Sequence, residues 1–187
     1  MSQDKRNRVC PVELADGLDS KIRKLLQNPQ KILSPYLEPG MTVLDIGCGP
    51  GVFSIEMAKM VGAAGRVIAA DLQEGMLEKL AGKIKGTELE KMIGLHKCEN
   101  ERIGVSDKVD FALAFYMVHE VPDKTSFLKE VHSILKPGGK ALIVEPKFHV
   151  SKKDFEMMLV SVADLGFGIV EKPKIFFSRA ALLSRAI

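Results

Sequence analysis

Short apolar runs alternate along this chain with stretches in which apolar residues recur every three or four positions. The runs are strand-like, and the helical spacing marks amphipathic helices. Ile22, Leu25, Leu26, Ile32 and Leu33 predict a helix over 20–33, with a break or restart at Asn28 and Pro29. A first strand is expected at about 41–46. The helix after it, about 52–62, carries Phe53, Met57, Met60 and Val61 on one stripe. RVIAAD at 66–71 reads as a second strand, Gln73 to Lys85 as a helix with Met76, Leu77, Leu80 and Ile84 inward, and Met92 to His96 as a third strand. VDFALAF at 109–115 is apolar enough for a strand buried on both faces. Asp123 to Lys136 is amphipathic, with Phe127, Leu128, Val131, Ile134 and Leu135 inward. Lys136, Pro137, Gly138 and Gly139 end that helix, and a fifth strand runs from Lys140 to Glu145. Ser151 to Asp154 resembles a capping box, opening a helix that buries Phe155, Met158, Leu159 and Val162. Ile169 to Glu171 and Ile175 to Ala180 read as the last two strands, about a turn at 172–174. The tail after Ala180 fits either a continued strand or a short helix.

That order predicts an α/β fold: a seven-stranded, mostly parallel sheet with helices on both faces and a C-terminal hairpin. The chain has 187 residues, which suggests one folded unit, and 46% hydrophobic residues suffice for an ordinary core. The net charge of +3 is spread out, with no basic arm, so no nucleic-acid partner is indicated. No apolar run approaches the ~20 residues that would span a membrane. The N-terminal MSQDKRNRVCP lacks the apolar core of a signal peptide. Cys10, Cys48 and Cys98 are odd in number and lack metal-ligand spacing. No metal site is expected, and the setting is expected to be reducing and cytoplasmic, with free thiols.

Candidate chemistry gathers in MTVLDIGCGPGVFS at 41–54. Gly47, Gly49 and Gly51 alternate between a strand and a helix. Glycine serves where φ is positive or where a ligand must approach bare backbone, and the helix start adds N–H donors and a positive dipole end. A dinucleotide fingerprint, G-x-G-x-x-G/A, needs its third small residue where Val52 or Ser54 stands. That spacing disfavours an NAD-dependent dehydrogenase. A phosphate-cradling P-loop would need a lysine that is not there. With Asp45 ahead of the turn, the pattern D-x-G-x-G-x-G resembles the first motif of the class I S-adenosylmethionine (SAM)-dependent methyltransferases. LKPGG at 135–139 is a second hallmark of that family. The resemblance covers about residues 34–187. It implies the Rossmann-like class I methyltransferase fold, of the small-molecule, ubiquinone/menaquinone-biosynthesis-like type, with SAM as methyl donor and S-adenosylhomocysteine as product.

The resemblance also implies roles. Gly47, Cys48, Gly49 and Gly51 would lie against the methionine part of SAM, and Asp45 would help hold its ammonium end. Asp71 ends the second strand, 24 positions after Gly47, and would hold the ribose; a carboxylate can accept from both hydroxyls of a diol. Leu72 and Met76 would pack near the adenine, although Met76 equally suits the core. Glu99 and Asn100 stand where the family carries an acid and a small residue against the adenine; Glu101 is a competing acid. Phe115 ends the fourth strand and is a further expected cofactor contact. YMVHEVP at 116–122 resembles the fourth motif, which runs toward the reacting methyl. Tyr116, His119 and Glu145 are the candidates to bind the acceptor or take its proton. His119 also fits a structural residue that bonds the loop backbone.

Residues 1–33 look placed to cover the cofactor or acceptor site, ahead of a SAM-binding methyltransferase domain at 34–187. With no large insertion between the late strands, the acceptor pocket is expected from the N-terminal helix and short loops, or from the second subunit of a homo-oligomer. The expected function is methyl transfer to a small-molecule acceptor. A non-catalytic SAM-binding module is the alternative.

Overall fold

The computed structural model describes residues 27–99 and 101–186. Cys10, Asn100 and the start of the N-terminal helix lie outside those residues. The described part of that helix is α1, Pro29–Leu33, whose N-cap Asn28 accepts the Lys31 N–H at 3.1 Å. Pro29 therefore starts a helix here, as its missing N–H and fixed φ permit.

The chain continues with β1 (Thr42–Ile46), α2 (Val52–Val61), β2 (Arg66–Asp71), α3 (Glu74–Ile84), α4 (Leu89–Met92), β3 (Ile93–Lys97) and β4 (Val109–Phe115). A 3₁₀ turn (Val118–Glu120), α5 (Lys124–Ile134), β5 (Leu135–Pro146), α6 (Lys152–Asp164), β6 (Phe167–Glu171) and β7 (Ser178–Arg185) follow. The strands form one seven-stranded sheet in the order β3-β2-β1-β4-β5-β7-β6. β1 to β5 pair in parallel, and β7 is antiparallel to both β5 and β6. The order reverses between β1 and β4, and in open α/β sheets ligands bind beyond the carboxyl ends of the strands at such a switch.

The two-residue period of the strands divides the core into two layers. Leu44, Ile46, Ala112 and Ala114 face Phe127, Leu128, Phe155 and Leu159 of α5 and α6. Val43, Phe111, Leu113 and Phe115 face the α1–α3 side, with Leu33, Phe53, Met57, Leu77 and Leu80. On α2, Met60 is only half-buried, and Ser54 and Ala58 join the buried stripe. Ser151 caps α6: its hydroxyl accepts the Asp154 N–H at 3.1 Å and donates to the Asp154 carboxylate at 2.6 Å.

Two boundaries differ from the expectation. β5 begins at Leu135, five residues early, because Leu135 pairs with Val109 before Lys136–Gly139 bulge out and pairing resumes at Phe111 with Lys140. LKPGG thus ends α5 and makes a bulge. Gly139 has no room for a side chain, since a Cβ would stand 2.8 Å from the Lys136 carbonyl. Lys136 Nζ contacts both Asp110 oxygens at 2.8 Å, and Asp110 also accepts the Thr42 N–H at 2.8 Å, which ties the starts of β1 and β4 to the bulge. The last strand is Ser178–Arg185 rather than 175–180. Ile175, Phe176 and Phe177 are β-prone by composition, yet they form a connection that leaves both phenylalanines exposed and Phe177 at φ +51°. The ALLSR tail is the buried strand, because its apolar residues pair with the middle of β5.

Candidate functional site

β1 and β2 together build the glycine turn. The N–H groups of Gly47 and Cys48 both donate to the Ala70 carbonyl, at 2.8 and 3.0 Å, so the turn is pinned to the end of β2. The three glycines have positive φ for different neighbours. A Cβ on Gly47 would press on the Met117 side chain at 3.1 Å, and one on Gly51 would strike Leu80 at 2.2 Å. Among the described residues a Cβ on Gly49 meets nothing within 4 Å, so this glycine presents bare backbone there.

Two carboxylates lie at this turn. Asp71 Oδ2 accepts the Gly49 N–H at 2.8 Å and Oδ1 accepts the Gln73 N–H at 2.8 Å. Burial raises its pKa, opposed by those bonds and by the charge of Lys97. Asp45 is 2% exposed and accepts the Ser54 hydroxyl at 2.6 Å. Burial pushes its carboxyl up to about 7, against the Ser54 bond and with help from the charge of Asp71. Two crowded acids beside an open glycine favour a cationic ligand and disfavour a pyrophosphate. SAM, which carries a sulfonium and an ammonium, fits those acceptors.

The other cofactor candidates border the same strand ends. Cys48 is buried, and Cys98 is half-buried with its N–H on the Asp71 carbonyl at 2.9 Å. Burial raises both thiol pKa values, that of Cys98 to about 12, so both are protonated and unreactive near neutrality. Leu72 is half-buried and its carbonyl accepts from Lys97; Met76 is buried in the first turn of α3. Glu99 is exposed and bridges Arg102 just past β3, and Glu101 is exposed beside it. The Phe115 ring lies 4.4 Å from Phe53 and 4.5 Å from Tyr116.

The three acceptor-side candidates are not one cluster. Tyr116 has φ +61°, a conformation non-glycine residues rarely adopt. Its ring packs with the α1–α3 layer. Its hydroxyl bonds Ser178 Oγ at 2.6 Å and the Gln27 amide. Val118 turns to the opposite layer, and with it come His119 and Glu145. His119 Nδ1 bonds Glu145 Oε2 at 2.7 Å, and Glu145 Oε1 accepts the Val118 N–H at 3.0 Å. Glu145 is 2% exposed, so both oxygens serve the 116–120 loop rather than solvent. The His119 ring stacks on His149 at 5.1 Å. Its pKa is raised, chiefly by the Glu145 hydrogen bond. The cavity at the His119–Glu145 pair measures about 20 Å³, room for one water.

Ser54, Met117 and Ser178 were not among the expected site residues. Ser54 had a readable signal, a hydroxyl on the buried stripe of α2, whereas Ser178 meets Tyr116 only through the strand pairing of the fold.

A family model described as a methyltransferase domain matches residues 37–173. A demethylmenaquinone methyltransferase of Lactobacillus johnsonii is 32% identical over 143 residues, 76% of this chain and 55% of that protein. One from Staphylococcus aureus is 35% identical over 106 residues, 57% of this chain and 43% of that protein. The chain spans about half the length of the curated relatives it matches. A solved SAM-dependent methyltransferase from Aquifex aeolicus superposes with a TM-score of 0.83 at 28% identity, over 94% of this chain and 99% of that one. With the family model spanning the glycine turn and all five parallel strands, the chain belongs to the methyltransferase-domain family and has the class I SAM-dependent fold.

Proposed function

We propose that this chain binds SAM at the glycine turn and transfers its methyl group to a small-molecule ring acceptor. The observation that carries this reading is Gly49, open on one side and held on the other by the Asp71 carboxylate. In this reading Gly47, Cys48, Gly49 and Gly51 cradle the methionine part. Asp45 sets the negative field for the ammonium, and Asp71 accepts from the ribose hydroxyls. Leu72, Met76, Phe115, Glu99 and Asn100 are assigned to the adenine side. SAM supplies an electrophilic methyl on a sulfonium, so the protein's task is alignment.

Tyr116 and Ser178 present hydroxyls on the acceptor side. Glu145 is a positioning residue: it holds His119 and the Val118 N–H, and so fixes the loop that follows β4. His119, biased toward its charged form by Glu145, is an anchor in this reading rather than a base. The relatives are named for demethylmenaquinone, and a quinol-type ring is the acceptor class carried over here. Residues 1–33 are assigned to covering the site and 34–187 to the SAM-binding domain. A reducing, cytoplasmic setting accords with the free thiols Cys48 and Cys98.

Asp71→Ala tests the cofactor assignment: loss of a charged acceptor should weaken SAM binding by about 1.5–3 kcal/mol, with the circular dichroism spectrum unchanged. Calorimetry showing wild-type SAM affinity in that variant would remove Asp71 from the site. Release of S-adenosylhomocysteine from labelled SAM with a naphthoquinol acceptor separates an enzyme from a non-catalytic SAM-binding module. SAM binding without product across an acceptor panel would favour the module.

A further inference from the structure

We propose that the groove between α1 and the 173–177 connection binds the acceptor as an aromatic anion, selected by Lys31, Lys147 and Lys174. The proposal deepens the methyltransferase reading and rests on it. The groove has a volume of about 750 Å³, a size usual for small-molecule sites. Its walls include Tyr36, Phe176 and Phe177, and among the described residues no acid lines it. Among the described residues, none of the three lysine ammonium groups has a carboxylate partner. The nearby acid, Glu171, accepts the Tyr36 hydroxyl at 2.9 Å.

Phe176 and Phe177 are 52% and 62% exposed, large for aromatic rings unless something flat covers them. Phe177 is fixed by a φ of +51° and by its carbonyl, which accepts the Lys147 N–H at 3.0 Å. The groove is joined to the reaction side of the sheet. Tyr116, directly after β4, bonds Ser178, the neighbour of Phe177, and Gln27, the neighbour of the lining residue Asn28. An apolar, aromatic slot with three cations at its edge is complementary to a flat ring bearing a negative charge, such as a phenolate, naphtholate or aryl carboxylate. An acceptor bound as its anion has left its proton in solvent, so no basic side chain is required. That accords with a His119 engaged by Glu145.

The test uses two fluorescent probes of one shape, 8-anilinonaphthalene-1-sulfonate and its uncharged counterpart N-phenyl-1-naphthylamine. The full chain should bind the sulfonate about tenfold more tightly, roughly 1.4 kcal/mol. K31Q/K147Q/K174Q should abolish that preference and leave the uncharged probe's affinity unchanged, while Phe177→Ala should weaken both probes. Equal affinities in the wild type, or an undiminished sulfonate preference in the triple variant, would overturn the proposal. SAM calorimetry on the same samples separates the two readings. A wild type that selects the anion but binds no SAM would sink the methyltransferase reading and leave the anion groove standing. Unchanged SAM affinity in the triple variant would place the lysines on the acceptor side alone.

Discussion

At the scale of single residues, the site is built on acids kept where they are uncomfortable. Asp45 has a carboxyl pushed up to about 7 by burial, from an ordinary value of 3.8. A raised folded pKa means that stability is highest below the unfolded value and is lost as pH rises through the folded one. Asp45→Asn keeps an acceptor for the Ser54 hydroxyl and removes the charge. It should raise stability by about 1–3 kcal/mol at pH 8, with the gain falling by about half or more at pH 5, and it should weaken SAM binding. Thermal unfolding at the two pH values checks this; an equal gain at both would mean that the buried charge is not its source. His119 runs the same way with the opposite charge. Its pKa is raised above 6.5 by Glu145, so its contribution is full below that value and is lost as pH rises through the raised folded value. The stability gap between wild type and His119→Ala should therefore be widest in mild acid and narrow in alkali. A collapse of kcat in that variant, with stability and SAM affinity untouched at every pH, would make His119 a base and overturn its role as anchor.

At the scale of elements, the strand–turn–helix unit from Thr42 to Val61 holds two glycines with different surroundings, which separate packing from the proposed SAM contact. Gly51 sits at φ +85° against Leu80, so Gly51→Ala should cost about 2–4 kcal/mol through strain and overpacking. Gly49 sits at φ +53° facing open space, so Gly49→Ala should cost only about 1–2 kcal/mol and still abolish SAM binding. Denaturant unfolding paired with SAM calorimetry separates the two; a Gly49→Ala protein with normal SAM affinity would refute the cradle. This unit was legible in the sequence because its logic is local: an apolar strand, glycines at alternate positions, an apolar stripe at helical spacing. The start of β5 and the extent of β7 were not legible in the same way. Leu135 joins the sheet because Val109 stands opposite it, and Phe176 and Phe177 stay outside it because ALLSR takes the place beside β5. Both are decisions of long-range pairing. Tyr116 and His119 read as one motif in sequence, but the positive φ at Tyr116 and the 3₁₀ turn after it send them to opposite layers.

At the scale of the whole molecule, one edge of the sheet gathers the candidate site residues. The carboxyl ends of β1 and β2 carry the glycine turn and Asp71, and that of β4 carries Phe115 and Tyr116. β5 ends beside the start of β7, where Pro146 pairs with Ser178. The antiparallel β7 brings the 173–177 connection back over this edge, and α1 closes the groove from the other side. In the proposed reading the cofactor takes the glycine turn and the acceptor takes the groove, and the Tyr116 hydroxyl, bonded to Ser178 and Gln27, lies between them. The family resemblance covers the glycine turn, while the lysine-edged groove depends on residues distant in sequence that only the fold assembles. Thermal unfolding of the full chain with SAM, S-adenosylhomocysteine and NAD in turn tests the cofactor site most directly. Ligand at about 100 times its Kd should add about 2.7 kcal/mol, a rise of roughly 5–10 °C at this size. That rise is expected with SAM and S-adenosylhomocysteine and not with NAD. A rise with NAD alone, or no rise with SAM or its product, would contradict that expectation.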